Sequence, residues 1–249
     1  MKKFLLEICV DSFESARRAA ENGADRLELC SDLLVGGLSP SPFLIEQVVS
    51  RIAAPVNVLL RPRFGDFCFT DEEKEIQLRE IEFCAKTGVN GVVIGALTPE
   101  GELDVPFLSR CMAAAGDLDV TLHRCFDVCR DGFEAIETAG DLGIQTILTS
   151  GQRATAPEGV ENLRALRKFA ADRIHLMAGS GVCAANIPQL YRETGIRHFH
   201  LSAKRSEPGP MTFRREGVPM GLPMASEFDR QYADPVTVRA ARAAVDSLK

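Results

Sequence analysis

Glu7 and Cys9 alternate with apolar residues in one short run, Leu6-Glu7-Ile8-Cys9, and Glu28 and Cys30 do the same in a second, Leu27-Glu28-Leu29-Cys30. Successive side chains of a strand point to opposite faces, so each glutamate shares a face with its cysteine while leucine and isoleucine take the other. Carboxylates and thiols where a buried strand ordinarily carries valine or leucine are costly unless paired or used. Proton transfer by the carboxylates and metal binding by either group are the chemistries that suit them.

More polar residues gather at the ends of later apolar runs: Arg61-Pro62-Arg63 with Asp66, His123-Arg124 with Asp127, Thr149-Ser150-Gly151, Gly179-Ser180-Gly181, and His200 with Ser202. Arg61, Arg63 and Arg124 suit an anionic group. His123 has the titration range of a general acid or base, which Glu7, Glu28 or Asp127 would orient or relieve of a proton. Gly179, Ser180 and Gly181 precede a helix start, where free amides can hold phosphate or another anion; a plain tight turn reads the same. The structural alternative pairs Arg61 and Arg63 with Glu7 and Glu28 in a buried ionic layer. Eight cysteines, at positions 9, 30, 68, 84, 111, 125, 129 and 183, contain no C-x-x-C pair and no zinc-like spacing, which predicts free thiols in a reducing compartment.

The elements that must position these residues alternate regularly. Strands are predicted at 4–9, 26–30, 56–61, 91–95, 120–124, 146–150, 174–178 and 198–202, with helical patterns between them. Asp11 with Glu14, Thr70 with Glu73 and Asp131 with Glu134 have capping-box spacing, and Ser41-Pro42 and Asp234-Pro235 place a cap before proline. Gly23, Gly88, Gly143 and Gly195 each precede an apolar residue, two mostly polar ones and a strand, as helix-ending glycines do. Repeated strand-helix units without hairpin signals imply a parallel sheet, and eight of them close into a (β/α)8 TIM barrel of one domain over residues 1–249. A doubly wound sheet fits less well, since no G-x-G-x-x-G follows the first strand. Residues 203–233 break the rhythm as a long loop, lid or subunit-packing arm. In such a barrel the polar strand ends would form one mouth at the carboxyl side.

The net charge of −6 and a pI near 5.4 argue against nucleic acid or an anionic membrane as partner. Met1 to Leu6 briefly imitates a leader, but Glu7 and Asp11 interrupt it, and a cytoplasmic protein is expected.

With these motifs in view, the chain resembles the CutC copper homeostasis proteins. The likeness runs through Leu6–Ser12, Gly23–Cys30 and Gly36-Gly37-Leu38-Ser39-Pro40-Ser41, then Arg61-Pro62-Arg63, Gly65-Asp66-Phe67, Leu97-Thr98-Pro99, His123-Arg124, Phe126-Asp127, Ile147–Gly151 and His200. The resemblance implies a cytosolic TIM barrel, a homo-oligomer (dimer or tetramer), and Cu(I) held by Cys9 and Cys30. Soft thiolates favour Cu(I), and adjacent strands are spaced for a thiolate–metal–thiolate bridge. Cys125 and Cys183 depart from the family pattern, as does Ser180 within the turn after strand seven. Two functions follow as expectations: copper handling through the paired cysteines, or a barrel enzyme of proton transfer or hydrolysis on a small anionic or phosphorylated substrate. A divalent metal on Glu7, Glu28 and a histidine is a further arrangement.

Overall fold

Eight parallel strands close into a barrel in chain order: β1 (Leu5–Val10), β2 (Arg26–Leu29), β3 (Val56–Leu59), β4 (Gly91–Ile94), β5 (Asp119–Leu122), β6 (Thr146–Thr149), β7 (His175–Ala178) and β8 (His198–Leu201). The computed structural model describes residues 4–218, 220–222 and 226–248; Met1, Lys2 and Lys3 of the leader-like stretch lie outside the described residues. Helices α1 (Phe13–Glu21), α2 (Pro42–Arg51), α3 (Asp71–Thr87), α4 (Val105–Ala115), α5 (Gly132–Asp141), α6 (Val160–Ala170) and α7 (Ile187–Thr194) join successive strands, and α8 (Pro235–Asp246) completes the ring. Strand alternation produces two layers. Leu6, Ile8 and Val10 of β1 and Leu27 and Leu29 of β2 are fully buried in the main apolar core, while Glu7, Cys9 and Glu28 take the other face, inside the barrel.

Local chemistry sets the boundaries. The Thr70–Glu73 capping box forms in both directions, and Ser41 and Asp234 cap helices that carry proline in the first turn. Asp11 is not the cap of α1; Ser12 is, accepting from the Ser15 amide. Asp131 caps α5 through the amides of Phe133 and Glu134. Gly88 and Gly195 end α3 and α7 at φ 82° and 73°, in the left-handed region where a side chain would be strained.

The 203–233 segment is structured at its base, where β9 (Lys204–Pro208) pairs antiparallel with β10 (Asp229–Ala233) and packs against α1. Lys204 opens this hairpin beside the barrel mouth. No helix among the described residues is long and apolar enough to cross a membrane.

Candidate functional site

Strand register determines which inward side chains meet. Glu7 lies opposite Arg26 on β2 and opposite His200 on β8, so three neighbouring strands bring these groups to one level. Arg26 Nε donates to Glu7 Oε2 at 2.5 Å, and His200 Nδ1 lies 2.8 Å from Glu7 Oε1. Burial alone would raise the Glu7 carboxyl, but Arg26 and His200 outweigh it and hold it down at about 2. Burial also opposes charge on His200, yet Cys9 and Glu28, with the Glu7 hydrogen bond, keep its pKa well above the ordinary value. The structural alternative, in which Arg61 and Arg63 pair with the two glutamates, is thereby corrected. Arg26 neutralises Glu7 because the register of β1 against β2 places it opposite.

Glu28 sits one level higher, opposite Cys9. Burial lifts its carboxyl to about 7, His200 drawing against the rise and Glu7 adding to it, and its Oε2 has no hydrogen-bond partner among the described residues. One ligand atom each from Glu7, Glu28 and His200 falls within 4.8 Å of the others, close enough for a metal ion. Both Glu7 oxygens are already engaged. Glu28 and, once a metal displaces the proton that Cys9 and Glu28 hold on it, the second nitrogen of His200, Nε2, are therefore the available donors, with Cys9 beside them.

The two thiols are not side by side. Since Cys9 pairs with Glu28, Cys30 lies two residues further along, roughly 6–7 Å up the strand axis in addition to the ~4.8 Å between strands. Cys9 lines the cavity. Cys30 is sealed among Leu59, Val93 and Leu33, where its Sγ donates to the Val10 carbonyl at 3.5 Å and burial pushes its pKa up.

Across the mouth, Arg61, Phe67 and His123 form a wall. The Phe67 ring stands 4.9 Å from the Arg61 guanidinium and 5.0 Å from the His123 ring. A β-carbon on Gly95 would come within 2.6 Å of His123 Cε1 and 2.4 Å of Cys125 Sγ, so only glycine leaves the imidazole its place. Nδ1 of His123 accepts from the Cys125 amide at 3.1 Å, which puts the ring proton on Nε2, a buried atom with no partner. Burial, aided by Arg61, holds the His123 pKa down at about 3. We expect His123 to remain the neutral Nε2–H tautomer from about pH 8 to about pH 5 in nitrogen NMR spectra of the imidazole; titration within that range would contradict the assignment. In that state the ring offers a hydrogen-bond donor at Nε2.

Asp127 and Ser150 brace the wall from behind. Asp127 accepts from Arg124 Nε at 2.7 Å, Thr149 Oγ1 at 2.5 Å and the amides of Ser150 and Gln152 at 3.0 and 3.1 Å. Ser150 Oγ accepts from Arg124 Nη2 at 2.9 Å. Arg124, Asp127, Ser180, Gly181, His200 and Ser202 border a cavity of about 720 Å³ that also includes Cys9, Glu28, Arg61 and His123. Gly179 and Ser150 are not on its lining, and Arg63 turns away to Glu73 and Asp66, at 2.7 and 3.0 Å. Three residues of the site were not singled out as candidates from the sequence. Arg26 could have been found, since it shares the period-two face of Glu28 and Cys30; Phe67 stood only inside the Gly65-Asp66-Phe67 motif, and Lys204 carried no signal.

The CutC family matches over residues 4–205. A family protein CutC of Bacteroides fragilis is 42% identical over 250 residues, covering 100% of this chain and 98% of the relative. Its counterpart in Vibrio campbellii is also 42% identical, over 234 residues and 93% of each protein. Among solved structures, a chain assigned as copper homeostasis protein CutC from Streptococcus agalactiae superposes with a TM-score of 0.76 at 30% identity, covering 80% of this chain and 98% of that one. Thiamine phosphate pyrophosphorylase from Pyrococcus furiosus, at 15% identity and a TM-score of 0.59 over 98% of this chain and 96% of that one, shares the fold alone.

Proposed function

Because the chain belongs to the CutC family, we propose that it serves copper homeostasis by taking Cu(I) at the barrel mouth, on the Cys9 thiolate and His200 Nε2, with the Glu28 carboxylate beside them. The observation that carries this reading is the 2.8 Å contact between Glu7 Oε1 and His200 Nδ1. A carboxylate that takes one imidazole nitrogen fixes the ring and directs the other nitrogen at an incoming metal. A thiolate supplies the soft ligand that Cu(I) prefers, and the free Oε2 of Glu28 offers a third contact. Cys9 opens on the cavity, whereas Cys30 lies in an apolar pocket. Direct coordination by Cys30 is therefore the less favoured form of the two-thiol arrangement.

Anaerobic competition with a chromophoric Cu(I) chelator tests the site. Cys9→Ser should lose stoichiometric binding, by about 100-fold or more for a lost coordinating group, while Cys30→Ser should retain it. Loss in Cys30→Ser with retention in His200→Gln would restore the two-thiol form. Unchanged binding by the Cys9→Ser, Cys30→Ser double variant would remove copper from this mouth altogether.

A second reading, an enzyme of proton transfer or hydrolysis on a small anionic substrate, has its own supporting observation: Arg61 is buried at the mouth and, among the described residues, makes no ion pair with a carboxylate.

A further inference from the structure

We infer that Arg61 and His123 form a seat for the oxyanion group, carboxylate or phosphate, of a small organic ligand. Arg61 is 8% exposed and His123 5% exposed, and both border the cavity. Three carbonyls hold the Arg61 guanidinium: Nη1 donates to Val35 and Gly37, both at 3.3 Å, and Nη2 to Gly65 at 2.8 Å. Neutral carbonyls fix the guanidinium but leave its charge uncompensated, and Nε has no acceptor among the described residues. A buried cation without a counter-charge is costly unless a ligand brings one. His123 Nε2–H is the second unpaired donor. The Phe67 ring stands against both groups, so their positions are set before any ligand arrives.

Two preorganised donors of this kind, one charged and one neutral, match an oxygen-bearing anion rather than a cation or an apolar group. A cavity of about 720 Å³ exceeds what a simple ion fills, so the oxyanion is the head of a larger metabolite whose remainder extends toward Glu28 and His200. The seat deepens the small-anion reading, on which it rests, and requires no reaction. Nor does it use Cys9, so failure of copper binding leaves it standing.

The test follows the His123 Nε2–H resonance while copper-free protein is titrated with acetate and, separately, inorganic phosphate, with chloride as the ionic-strength control. Saturable shifts with acetate alone assign a carboxylate, and with phosphate alone a phosphate; shifts with both establish the shared seat. In the variants, which lack the imidazole signal, acetate and phosphate binding is read by titration calorimetry: His123→Gln keeps an N–H at the same reach and should bind nearly as well, whereas His123→Phe should bind about tenfold or more weakly, the loss of one hydrogen bond to a charged group. Because Arg61→Gln also removes loop contacts, the His123 pair decides the matter if that variant does not fold. Resonances that neither anion moves beyond the chloride control, or equal binding by His123→Phe and wild type, would overturn the seat. Anion binding in protein that turns over no substrate would sink the enzyme reading and leave the seat intact.

Discussion

Glu7→Ala is expected to cost about 3–5 kcal/mol of folding stability, the usual consequence of removing one partner from a buried ion pair. Arg26 and His200 both rest on this carboxylate, whose side chain is 1% exposed. Alanine would leave two cationic groups facing each other inside the barrel. At 2–4 °C per kcal/mol for a chain of this length, the midpoint should fall by roughly 6–20 °C. The pH dependence has a definite sign. A carboxyl held at about 2 against an ordinary 4.5 stabilises fully above pH 4.5 and loses that contribution as pH falls toward 2. Urea unfolding should therefore show the largest gap between wild type and variant near neutrality, narrowing in acid. A variant within about 1 kcal/mol of wild type at pH 7 would mean that the Arg26–Glu7–His200 layer contributes little net energy.

Asp127→Ala should be comparably damaging, for a different reason. Its two oxygens gather the side chains of Arg124 and Thr149 and the amides of Ser150 and Gln152 at the end of β6. Thr149 and Ser150 are fully buried, so solvent cannot replace the lost acceptors. Each stranded donor costs about 1–3 kcal/mol, and partial relaxation brings the expected total to about 3–5 kcal/mol. Hydrogen exchange at the Ser150 and Gln152 amides should accelerate at the same time. Asp127→Asn, which keeps one acceptor oxygen, should do less harm. A proton carrier would behave in the opposite way: its asparagine variant would lose activity and leave thermal stability and exchange unchanged.

The two aspartates that chemistry singled out after strands three and five show how far side-chain type can be read. Asp66 and Asp127 each follow an arginine, and both bind one; but Asp66 is exposed with Arg63, whereas Asp127 is buried behind Arg124. Nothing in the local sequence separates them. The glutamates repeat the lesson, since equal Glu-x-Cys runs give one carboxyl held at about 2 and another lifted to about 7. Arg26 and His200 act on both, but only Glu7 is hydrogen-bonded to them directly.

By itself, the sequence determined the eight strand-helix units, the Thr70 capping box, the glycine helix ends and the position of polar residues at the carboxyl ends of strands. These features depend on interactions within a few residues, which the order of side chains specifies directly. Tertiary structure decided the partners. Barrel closure places Glu7 against a histidine 193 positions away, the register of β1 against β2 sets Cys9 opposite Glu28 rather than Cys30, and Arg61 is left without a carboxylate among the described residues. Register between strands is a property of the closed sheet, and a shift in it changes every facing pair while leaving each strand's own pattern unaltered.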